Sequence, residues 1–182
     1  MIRTVRAAGF AAAALGFAAS ILFGGPLSAG PSQAASAAVI SLPGTLAEQV
    51  AEQAGTLTAD AEQDCLASAV YFEARGEPIE GQLAVADVVL NRVASSRYPD
   101  TICEVVEQPW QFSFVNRTGS IPQADRSSEA WRKAVAIARI AQAGTARAVD
   151  SDVLWYHAEY VSPSWGTRLA RQDKIGLHIF YS

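Results

Sequence analysis

From residue 60 onward the apolar positions recur at helical spacing. Leu66, Ala69, Val70 and then Glu73 fall at i, i+3, i+4 and i+7, the single stripe of an amphipathic helix. Asp60, with Gln63 three residues on, resembles a capping box at its start. Gly76 and Pro78 predict its stop and the opening of the next element, so a helix is expected over about 61–75. A second, over about 79–94, carries Leu83, Ala86, Val89, Leu90 and Val93 on one face. Tyr98-Pro99 and Thr101 predict a turn into a short helix over 101–107, and 108–122 reads as a loop. Ser127 or Asp125 is expected to cap a third long helix that turns Trp131, Ala134, Val135, Ala138 and Ala141 inward and ends at Gly144. The period then changes. Val153 to His157 is a β-type run, and Ile175, Leu177, Ile179 and Tyr181 alternate with Gly176, His178 and Phe180, which predicts a small sheet. The expected class is α+β, mostly α, with a short C-terminal β element.

The first 59 residues follow another pattern. Arg3 and Arg6 precede residues 7–23, a run of 17 without a charge, and small residues follow, with Ser32/Ala34 and Ala35/Ala37 as pairs before a cleavage point. This is the order of a secretory signal, assigned to 1–34. An uncleaved anchor is the alternative, although the run is at the short end of the roughly 17–25 residues that span a bilayer. Residues 35–59 are rich in Ala, Ser, Gly, Pro and Gln and read as a flexible linker, in which 45–54 is compatible with a short frayed helix but has no large apolar face to dock it. The folded domain is expected over 60–182.

Charge and cysteine content sharpen this picture. Removal of 1–34 takes away Arg3 and Arg6 and no acid, moving the net charge from −4 to −6. An acidic exported domain is a poor partner for nucleic acid or anionic lipid, so no stable membrane association is expected once the signal is gone. Cys65 and Cys103 are the only cysteines; an even pair in an oxidising compartment points to a disulfide, the alternative being two buried free thiols.

The stretch VYFEARGEPIEGQ (70–82) holds Glu73, Glu77 and Glu80. Glu73 continues an apolar helix face and sits in the last helical turn, where burial and the helix dipole both raise a carboxyl pKa. A carboxyl that keeps its proton near neutral pH suits general-acid cleavage of a glycosidic bond. The structural alternative is a buried ion pair with Arg75, Arg92 or Lys133. Glu77 is expected to be exposed or to cap the following helix, and Glu80 to complement that helix's dipole.

The residues from Cys65-Leu66-Ala67 through VYFEARGEPIEGQLAVADVVLNRV (70–93), then YPDTIC (98–103), QPWQFS (108–113), WYHAEYVSPSW (155–165) and IGLHIFY (175–181) resemble the SleB/CwlJ-type cell wall hydrolases. The resemblance covers about 64–181. It implies a lysozyme-like helical fold, peptidoglycan as substrate, a periplasmic or wall-associated location and lytic-transglycosylase chemistry at the MurNAc-GlcNAc bond with Glu73 as the acid. Gln111, Ser113, Tyr156, His157 and Trp165 become candidate substrate-binding residues. Trp155, Tyr160, Trp110 and Phe112 offer further flat faces for sugar rings. A second acid has no obvious place, with Asp87, Asp125 and Glu159 left as possibilities.

Two other readings are carried forward. His157 and His178 with Glu159 would be the ligands of a zinc amidase, but no HExxH spacing is present, so no metal and no cofactor is expected. A non-catalytic peptidoglycan-binding module would use the same cleft without needing Glu73. The chain also departs from many relatives, which carry two more cysteines around QFS where Trp110 and Asn116 stand here. Their joint absence fits a bond between Cys65 and Cys103 and leaves the 110–120 loop without a staple.

Overall fold

The computed structural model describes residues 44–58, 60–118 and 120–182. Residues 1–34, read above as a signal, and the part of the expected linker up to 43 lie outside the described residues. Helices α1 (Leu46–Gln53), α2 (Ala61–Ala74), α3 (Ile79–Val93), α4 (Ile102–Glu107), α5 (Ser113–Thr118) and α6 (Glu129–Ala143) precede strands β1 (Trp155–Ala158), β2 (Arg171–Ile175) and β3 (His178–Tyr181). The class is α+β and mostly α, as the periodicity predicts.

Helices α2, α3 and α6 pack on one another, with α4 against α2. Their shared core holds Leu66, Val70, Leu83, Val89, Trp131 and Val135, each large aliphatic side chain stabilising by about 1.5–3 kcal/mol on burial. Helix α3 is buried nearly all round, its apolar side chains together with the polar Gln82, Asp87, Asn91 and Arg92. Its opposite side, Ala84 and Val88, meets Val149, Val153 and Phe180 in a second cluster. It is thus the central rod between the helical layer and the sheet.

Three polar side chains on α3 anchor the chain that leads into the sheet. The Asp87 carboxylate accepts from the Ala148 and Val149 N–H groups at 2.7 and 3.3 Å. Asn91 donates to the Asp150 and Val153 carbonyls at 2.8 and 3.0 Å, and Arg92 Nε donates to the Leu154 carbonyl at 2.9 Å. Strand β1 therefore starts at a point set by α3. The sheet is antiparallel with order β1-β3-β2.

Several elements differ from their sequence expectations. Residues 45–54 are docked: Thr45 and Glu48 form a full capping box on α1, Val50 is buried and α1 packs on α6. One buried valine and a good cap replaced the broad apolar face that the linker reading looked for. The cap of α6 is Ser128, whose Oγ accepts from the Trp131 N–H at 3.1 Å; Asp125 instead accepts from Ser127. The 108–122 segment contains α5. Residues 175–181 are not one strand but a turn and a strand. Gly176 is left-handed at φ 59°, so Ile175 closes β2 and His178 opens β3. Gly144 ends α6 in the left-handed conformation at φ 65°, as expected, whereas Gly76 is not among the glycines with positive φ.

Candidate active site

Asp60 starts α2, its side chain accepting from the Gln63 N–H at 2.8 Å, and the helix ends after Ala74. Glu73 is therefore in the last turn, partly buried. The Tyr156 hydroxyl on β1 donates to Glu73 Oε2 at 3.4 Å. Burial pushes the Glu73 carboxyl above its ordinary range; the Tyr156 hydrogen bond and the nearby Arg92 charge pull it back by less. A long hydrogen bond and a cation at a distance do not offset the loss of water around the carboxylate. The Tyr156 hydroxyl is itself pushed well above its ordinary value, first by burial and then by the negative charge of Glu73.

Arg92 is the cation whose charge acts on this pair. Its guanidinium is buried and lies over the rings of Tyr98 at 5.4 Å and Phe112 at 5.7 Å. The alternative of a direct ion pair for Glu73 is not what forms among the described residues, whose two ion pairs are Arg126–Asp64 and Lys174–Glu159. Arg75 sits over the Tyr71 ring at 4.9 Å instead.

The sheet brings His178 to the same place. Its ring meets Tyr156 edge-on at 5.1 Å, and Phe180 lies 5.7 Å from Tyr156. Burial pushes the His178 imidazole down, with Glu77 opposing, so it stays neutral at physiological pH. Among the described residues no group of three or more His, Cys, Asp or Glu is arranged to hold a metal ion.

The predicted site residues divide into groups. Tyr156 is in contact with Glu73. His157 and Trp165 are together but on the other face of the sheet, since successive strand residues alternate. The Tyr181 hydroxyl is 2.9 Å from His157 Nε2, and Trp165 packs edge-on to both rings at 5.6 and 5.5 Å. Gln111 and Ser113 flank Phe112, which is buried and so is core rather than a sugar platform. Phe114 stacks on Phe72 at 4.9 Å, and Phe72 precedes Glu73, so this loop is drawn to the end of α2 that carries the acid. Trp110 is 85% exposed with φ 68°, a conformation that costs a non-glycine residue about 1–3 kcal/mol. Cys65 and Cys103 are bonded to each other.

The possible second acids have other tasks. Asp87 holds the 148–149 backbone, Asp125 the start of α6, and Glu159 pairs with Lys174. Glu77, expected to be exposed or to cap α3, does neither: Pro78 is the α3 N-cap, and the Glu77 carboxylate accepts from the Leu177 N–H at 2.8 Å. A partner 100 residues away leaves no local signal. A cavity of about 840 Å³ between α1 and α6 is lined by Gln49, Gln63, Arg139 and Gln142. Gln63 is ten residues before Glu73, about 15 Å along the helix, so this cavity is separate from the carboxyl.

Comparison with known proteins shows the family and the fold. A family model described as Cell Wall Hydrolase matches residues 76–181, beginning just after Glu73. A spore cortex-lytic enzyme of Bacillus cereus is 36% identical over 115 residues, which are 63% of this chain and 42% of the relative. Another, from Oceanobacillus iheyensis, is 56% identical over 50 residues, 28% of this chain and 18% of the relative. The chain thus spans less than half the length of these curated relatives. Among solved structures, the catalytic domain of the germination-specific lytic transglycosylase SleB from Bacillus anthracis superposes with a TM-score of 0.56 at 32% identity, covering 70% of this chain and all of that one. The SleB catalytic domain of Bacillus cereus gives a TM-score of 0.55 at 33% identity, covering 70% of this chain and 94% of its own.

Proposed function

Because the chain belongs to the cell wall hydrolase family, we propose that it is an exported enzyme that cuts the glycan strand of peptidoglycan, with Glu73 as its general acid. The observation that carries this is the carboxyl itself. It is on an otherwise apolar helix face, raised by burial, with the Tyr156 hydroxyl on one oxygen.

A protonated Glu73 gives its proton to the bridging oxygen that leaves C1 of N-acetylmuramic acid. The carboxylate so formed takes the proton of that sugar's own 6-hydroxyl, and the freed oxygen closes a 1,6-anhydro ring on C1. This lytic-transglycosylase route needs one carboxyl acting first as acid and then as base, unlike the two-carboxylate template of ordinary glycosidases. It suits a site in which Asp87, Asp125 and Glu159 are engaged elsewhere. Between the two steps the Tyr156 O–H and the Arg92 charge stabilise the ionised form. The Bacillus anthracis relative is described as a lytic transglycosylase, which supports the same bond here; germination and the spore cortex belong to the relatives' descriptions. Export and a wall-associated location rest on the basic, apolar and small-residue order of 1–34.

Digestion of purified sacculi, with the products identified by mass spectrometry, tests the reading. Anhydro-muropeptides are expected. Reducing muramyl ends would replace the transglycosylase by a hydrolase acting at the same bond. Free stem peptides would overturn glycan cleavage in favour of an amidase, and no products would leave a binding module.

A further inference from the structure

Glu77 is four residues beyond Glu73, within the break between α2 and α3, and it is held at three points. Its N–H donates to the Ala74 carbonyl at 2.9 Å. Its own carbonyl accepts from Gln82 Nε2 at 2.9 Å. Its carboxylate accepts from the Leu177 N–H in the β2–β3 turn at 2.8 Å. The turn is shaped around that carboxylate: a Cβ added to Gly176 would lie 2.0 Å from Glu77 Oε2 and 3.0 Å from Pro78 Cδ. On the other side, a Cβ at Gly81 would come within 3.2 Å of the Glu77 Cβ. Two glycines from distant parts of the chain thus leave room for one side chain.

The turn also leads back to the acid. The Leu177 carbonyl accepts from the Glu159 N–H at 2.8 Å, extending the ladder in which Ala158 pairs with His178 and Tyr156 with Phe180. His178 and Phe180 are the rings against Tyr156, and Tyr156 is the hydroxyl on Glu73. The strand ladders hold the sheet together without Glu77. What they do not set is where the turn end of the sheet rests on the α2–α3 junction.

We infer that Glu77 is a positioning residue, its carboxylate clamping the β2–β3 turn onto the α2–α3 junction and thereby setting Tyr156 over Glu73. This rests on the reading of Glu73 as the acid and assigns no contact between Glu77 and substrate. The acid and the clamp for its hydrogen-bond partner are carried by one short segment, so their spacing is short and rigid. Because Glu77 acts through Tyr156, its loss costs no more than the Tyr156–Glu73 hydrogen bond itself.

The test compares Glu77→Gln, Glu77→Asp and Glu77→Ala, alone and with Tyr156→Phe, by the rate of muropeptide release from sacculi. Gln keeps an acceptor oxygen at the same reach, whereas Asp keeps the charge and withdraws it by one methylene. Near-normal rates are expected in Glu77→Gln, and in Glu77→Asp and Glu77→Ala a loss no larger than that of Tyr156→Phe, about fivefold for a hydrogen bond of about 1 kcal/mol. In the Tyr156→Phe background Glu77→Ala should cost little more, because residues acting through one contact are not additive. The reverse order, with Asp active and Gln inactive, would overturn the clamp in favour of a charge effect. Losses that multiply with those of Tyr156→Phe would overturn it as well. A second readout needs no substrate: the Glu73 carboxyl titration, followed by carbon NMR, should change in Glu77→Asp and stay near wild type in Glu77→Gln. An unchanged titration in Glu77→Asp overturns the clamp. A wild-type protein that releases nothing from sacculi overturns the glycan-cleaving reading while the titration still judges the clamp.

Discussion

Replacing Glu73 by Gln should remove catalysis and stabilise the fold, and the second effect should depend on pH in one direction. Gln has the shape of Glu, and its amide oxygen can accept the Tyr156 O–H that now reaches Oε2 at 3.4 Å. The substitution also removes the attraction between a carboxylate and the Arg92 charge. Burial outweighs both in setting the Glu73 pKa above its ordinary value, so an ionised Glu73 is a net cost to the folded state. A carboxyl raised on folding contributes stability that is fully present below its unfolded pKa and is lost as pH rises through its folded pKa. Wild type and variant should therefore differ least in acid, and the variant should gain steadily toward neutral pH. Catalysis should fall by about 10²–10⁴, the contribution of a positioned general acid, or about 3–5 kcal/mol of barrier at 1.36 kcal/mol per decade. Urea unfolding from pH 4 to 8 reads the first effect and soluble muropeptide release the second. A stability gap that is constant with pH, or that widens in acid, would refute the burial argument. Full activity in the variant would refute the assignment of the acid.

Three further outcomes follow from the geometry. Tyr156→Phe removes a hydrogen bond at the long end of the range, worth about 1 kcal/mol; without it Glu73 holds its proton more tightly, so the alkaline limb of the pH–rate profile should move to higher pH. Joint replacement of Cys65 and Cys103 by Ser opens a loop with a sequence separation of 38, worth about 4 kcal/mol by chain entropy, and calorimetry should find Tm lower by about 15 °C for a domain of this size. Asp87→Ala strands the Ala148 and Val149 N–H groups now held by its carboxylate, a loss of about 2 kcal/mol after the relief of a buried charge; hydrogen exchange at those two amides should accelerate beyond the global change.

Local rules carried much of the fold. Helices α2, α3 and α6 were legible because apolar side chains at helical spacing and a few breakers are properties of neighbouring residues, and Gly144 needed only its own left-handed φ. Glu73 was legible for the same reason, as a carboxyl on an apolar stripe near a helix end. The docking of α1 was missed because it depends on one buried valine meeting α6, and the 175–181 turn because alternation alone does not reveal a break at Gly176. The partners of Glu73 were beyond any local reading. Tyr156 reaches it across 83 residues, and Glu77 finds its partner only when the β2–β3 turn lands on the α2–α3 junction. The sequence by itself determined which carboxyl stands on an apolar helix face and where the long helices run. Tertiary structure alone decided which groups surround that carboxyl, because burial and hydrogen bonds that shift a pKa come from whatever the folded chain places nearby.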